Sequence, residues 1–123
     1  MRIVATLAVS TLLALPIQAA PTTSTGRVSV TQVMEMVDLA RTEPAARNAV
    51  IAYLAGIGET AGLMVSEAVA RGATPLTCTR SFNLAEDVAV AALASAAPDR
   101  AAWGETAATP IILADLFARA GCR

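Results

Sequence analysis

The 123-residue chain contains no histidine, and every basic residue in it is arginine. Those two absences remove the commonest general base, the commonest metal ligand and the Schiff-base amine. Charged residues make up 15% of the chain, and its ten carboxylates are scattered singly apart from the adjacent Glu86 and Asp87. Neighbours on a helix point about 100° apart, so that pair reads as a solvated face. No base–nucleophile constellation is visible, and the expectation is a non-enzyme with no catalytic residue, no cofactor and no metal. Nucleic acid is also excluded as a partner, because the eight arginines beyond Arg2 face ten acids and leave no basic footprint.

What is present begins with "MRIVATLAVSTLLALPIQAAPTTS". One arginine, an apolar run from Ile3 to about Leu15, Pro16 and a small-residue exit have the layout of a secretory signal peptide. The run is shorter than the roughly 20 residues that span a bilayer as a helix, so cleavage and no membrane attachment are expected. Ala19 is the expected last residue removed, since a cut after Ala20 would put Pro21 just past the scissile bond. The division is therefore a signal peptide over 1–19, a flexible lead-in over 20–28 and one helical domain over 29–123.

Only two cysteines occur, Cys78 and Cys122. In an exported chain they form one disulfide, worth roughly 4 kcal/mol for a loop of this length in the chain-entropy model. The expected location is the periplasm.

Helical periodicity dominates the rest, and no convincing strand or repeat is seen. Ser29 and Gln32 have capping-box spacing ahead of a helix over about 30–41, whose face is Val30, Val33, Met34, Val37 and Ala40. A second helix starts near Pro44 and carries Val50, Leu54, Ile57, Ala61, Met64, Val65 and Ala68 as far as Arg71-Gly72. Asn83 and Glu86 predict a cap for a third helix over about 84–97, ended by Pro98. A fourth starts near Glu105 with a kink at Pro110, or at Pro110 with Thr109 as cap, and turns inward Ile112, Leu113, Leu116 and Phe117. Glu43/Arg47, Glu67/Arg71 and Asp115/Arg119 are each spaced for an ion pair along a helix surface. The fold expected is an all-α bundle of about four main helices with one disulfide.

Within the second helix, "AGIGETAG" holds three glycines. The spacing is GxGxxxG with no preceding strand and no following lysine, so neither the dinucleotide nor the P-loop reading applies. Ala55, Gly58 and Gly62 form a strip of missing side chains, expected to take the close approach of another helix of the same chain, with a homodimer face as the alternative.

Tyr53 and Gly56 in "YLAGIGETAG", Cys78 in "PLTC", Pro98 closing a helix, and Cys122 ending "AATPIILADLFARAGC" resemble, in order, the Rap/Tai-type secreted immunity proteins of type VI secretion. The resemblance spans nearly all of residues 28–122. It implies a small helical periplasmic protein, often dimeric, that binds a peptidoglycan-cleaving amidase toxin and blocks its active site. Relatives often carry a second cysteine pair joining the first two helices, which this chain lacks. A small periplasmic acid-stress chaperone, or another helical protein-binding module, is the alternative; such chaperones usually carry many lysines and acids. For partner contact the candidates are Asp99, Arg100 and Trp103 in one loop, and Arg80 just past Cys78. Trp103 has a competing role as a cap on an alanine-rich core, and Phe82 as a staple on the helix that follows it.

Overall fold

A computed structural model of the chain describes residues 22–73 and 77–123. The signal peptide expected over 1–19 lies outside these residues. Four α-helices follow in order: α1 (Val30–Leu39), α2 (Pro44–Ala70), α3 (Glu86–Ala96) and α4 (Ala108–Ala120), with a single 3-10 turn at Arg100–Ala102 before α4. No strand occurs among the described residues; an isolated antiparallel bridge pairs Ser29 with Ala107. The all-α bundle is as the periodicity predicts.

Helix α1 packs chiefly on α2, and α3 chiefly on α4. Val30, Val33 and Val37 meet Val50, Leu54 and Ile57 in the core, which Ala89 and Leu93 of α3 and Ala108 and Ile112 of α4 complete. The Ser29 hydroxyl accepts from the Gln32 amide at 3.1 Å, so the first half of the capping box forms. Pro44 opens α2, where a missing N–H costs nothing.

Four expectations need correction. Residues 22–28 are not a loose lead-in: Thr23 is buried, its hydroxyl accepts from the Arg27 amide, and Gly26 turns the chain at φ +73°. The Ser24 amide and hydroxyl both donate to Glu105, and the Val30 and Ala108 amides bond Thr106 and Val28 across the bridge. Backbone pairing with the approach to α4 is what fixes this segment.

The third helix begins at Glu86 with no side-chain cap. Asn83 does not cap it because Ala85 holds the capping position, two residues further on, while the Asn83 carbonyl accepts from Arg119 of α4. Glu86 and Asp87 instead place charge in the first turn, which the helix dipole favours.

Helix α4 begins at Ala108, earlier than Pro110 and later than Glu105. Pro110 then falls in the first turn, where no hydrogen bond is lost. Thr109 is not a cap: Ala107 holds that position and Thr109 falls inside the first turn, with its hydroxyl bonded to Tyr53.

Ion pairs form at Glu67–Arg71 and Asp115–Arg119. Arg47 does not pair with Glu43; its Nε donates to the Ala40 carbonyl at 3.3 Å and ties α2 back to the end of α1. The expected disulfide joins Cys78 to Cys122. It fastens the segment before α3 to the end of α4, beside paired backbone bonds between Thr77 and Arg123.

Candidate functional site

The site arises from a mismatch of lengths. With 27 residues, α2 is about 40 Å long, while the other three helices, of 10 to 13 residues, reach only roughly 15 to 20 Å. A helix that outruns its partners keeps its apolar face where the partners stop. Leu63 and Met64 are accordingly 71% and 67% exposed.

Between this overhang and α4 runs an apolar groove of about 670 Å³. Tyr53, Gly56, Thr60 and Met64 form its α2 wall, and Thr109, Leu113 and Phe117 its α4 wall. These three α4 residues recur every fourth position, so they lie along one face of the helix. None of the lining residues is charged. Length and apolar composition would also let α2 cross a membrane, a test that the core helix of a soluble protein passes as well.

Polar character in the groove comes from three hydroxyls. The Tyr53 and Thr109 oxygens are 2.9 Å apart. Burial raises the Tyr53 pKa, and the hydrogen bond to Thr109 lowers it by less. The site therefore offers apolar area and neutral hydrogen bonds, which suit recognition and supply no acid or base near neutrality.

The sequence-derived candidates are dispersed. Trp103 is half-buried against the core, its Nε1 donates to the Ala97 carbonyl at 2.7 Å, and the Arg100 guanidinium lies 5.1 Å from its ring centroid. Asp99 caps the 3-10 turn by accepting from the Ala101 amide. Asp99 and Arg100 are exposed, whereas Trp103 is committed to the core and to its indole bond. Arg80 sits at the other end of α4, with its amide on the Ala120 carbonyl. It is thus separated from Trp103 by roughly the 20 Å length of that helix.

The glycine strip does not take another helix of the chain. Ala55 is exposed, and a Cβ placed on Gly58 would meet nothing within 4 Å; at Gly62 the nearest neighbour would be the Phe82 ring, at 3.8 Å. Phe82 arrives there from the segment before α3 and stacks edge-on against Phe117, with centroids 5.5 Å apart. It thus lies between α2 and α4.

Periodicity placed Met64, Leu113 and Phe117 on inward faces, and that is why it missed them as a site. The signal that was available is the length of α2 against its neighbours. Comparison with known proteins finds no family model, no curated protein and no solved structure that matches this chain.

Proposed function

We propose that this is a periplasmic binding protein that inhibits a peptidoglycan amidase by covering its active site. The observation that carries a binding role is the uncovered groove between α2 and α4, with exposed Met64 in its wall. A contiguous apolar surface of this kind on a small protein marks a site of contact with another macromolecule. The Cys78–Cys122 bridge suits an oxidising compartment, in keeping with the signal-like leader. The choice of a cell-wall amidase as partner rests on the resemblance to Rap/Tai-type immunity proteins.

The test is a pull-down from periplasmic extract with the tagged, processed protein, followed by an amidase assay on whatever is enriched. A single cell-wall hydrolase, recovered and silenced, supports the proposal. A hydrolase that stays active when bound sinks the inhibitory part. Recovery of many unrelated proteins, increasing on acidification, replaces it with the chaperone alternative.

A further inference from the structure

A second, smaller cavity of about 220 Å³ lies beside the disulfide, lined by Arg80, Ser81, Asn83, Leu116, Arg119 and Ala120. Its chemistry is opposite to that of the groove. Two guanidinium groups line it and no acid does.

The Arg119 side chain is held in place. Its Nε donates to Asp115 at 2.7 Å and its Nη1 to the Asn83 carbonyl at 3.1 Å. Its Nη2 is enclosed by protein and has no acceptor among the described residues, so a ligand in the cavity meets the accessible remainder of the side chain, which is 37% exposed. Asp115 neutralises Arg119 as an ion pair. Arg80 forms no ion pair among the described residues, so the cavity carries one uncompensated positive charge.

The Ser81 hydroxyl and the Asn83 amide add neutral donors with no bond of their own among the described residues. Leu116 and Ala120 give an apolar floor. One net positive charge matches a monoanion better than a dianionic phosphate. A planar guanidinium is also shaped to take both oxygens of a carboxylate, and the floor suits the methylenes of an acidic side chain.

We infer that this cavity binds a single carboxylate, with Arg80 as the charged ligand-contacting residue, Ser81 and Asn83 as neutral donors, and the ion-paired Arg119 as a fixed wall beside them. The disulfide joins the two segments that carry the lining residues, Cys78 lying two residues from Arg80 and Cys122 three from Arg119. The inference does not depend on the amidase reading, because the cavity belongs to the isolated chain.

It is tested on the processed, oxidised protein by titrating sodium acetate, and separately a blocked Ala-Glu-Ala peptide, against sodium chloride at constant ionic strength. The Nε–H resonances of Arg80 and Arg119 are followed by NMR. Saturable shifts of both are expected with either carboxylate, weakened about tenfold or more in Arg80→Gln and unchanged in Arg71→Gln at the far end of α2. A peptide that binds much more tightly than acetate identifies an acidic side chain of a partner as the source; equal affinities identify a small free acid. Shifts that fail to saturate, or that are the same in Arg80→Gln, overturn the assignment.

Discussion

The Tyr53 phenol on α2 and the Thr109 hydroxyl on α4 share a hydrogen bond of 2.9 Å where both residues line the apolar groove. It is the polar link between the overhanging helix and the helix that forms the opposite wall. Tyr53→Phe keeps the ring and removes the bond, leaving Thr109 half-buried. A loss of about 1 kcal/mol is expected, read from the midpoint of urea unfolding.

The same residue sets an alkaline limit. Burial raises the Tyr53 pKa in the folded protein above its ordinary value of 10.0. The folded state therefore holds the proton more tightly than the unfolded chain. This contribution is complete below pH 10 and is lost as pH rises through the folded-state pKa. The decline should be smaller in Tyr53→Phe, and parallel pH–stability curves for the two proteins would contradict it.

At acid pH the sensitive contact is Ser24 with Glu105. The Ser24 amide and hydroxyl hold the Glu105 pKa below 4.5. The bonds should be intact above that pH and weakened as pH falls through the depressed pKa, loosening the chain at Ser24 while the backbone pairing of Val28 and Val30 persists. Amide exchange at Ser24 checks this, and Glu105→Gln should show weaker protection already at neutral pH.

Removing the disulfide by Cys78→Ser with Cys122→Ser releases a cross-link between residues 44 apart. A cost of roughly 4 kcal/mol is expected from the chain-entropy model, a large part of the stability of a domain this size. Thermal unfolding with and without reductant should reproduce the loss in the native sequence and show no effect in the double variant.

Gly121 ends α4 in the left-handed region at φ +64°, where an added Cβ would run into the Thr79 hydroxyl. Gly121→Ala should cost at least about 1 kcal/mol through backbone strain and that collision. By contrast, Met64→Asp on the exposed groove rim should leave unfolding nearly unchanged while weakening any partner that covers the groove. Equal partner binding by this variant and the native protein would place the interface elsewhere.

Much of the architecture was legible along the chain because local rules act on local residues. Apolar spacing placed all four helices, Pro44 marked the start of α2, and two cysteines admit only one intramolecular bridge. The ends of α3 and α4 were misplaced where distant partners intervene. Asn83 lies short of the start of α3, its carbonyl held by Arg119, and Thr109 lies inside α4, its hydroxyl shared with Tyr53.

The sequence by itself determined the helical class, the cysteine pairing and the absence of histidine and lysine chemistry, since these follow from periodicity and residue identity. Tertiary structure alone decided which apolar faces are covered. A helical wheel gives Met64, Leu113 and Phe117 the same inward character as Leu54 and Ile112, but burial depends on whether another helix reaches that level. Because α1, α3 and α4 are each less than half as long as α2, one stretch of the same periodic pattern became core and the next became a groove.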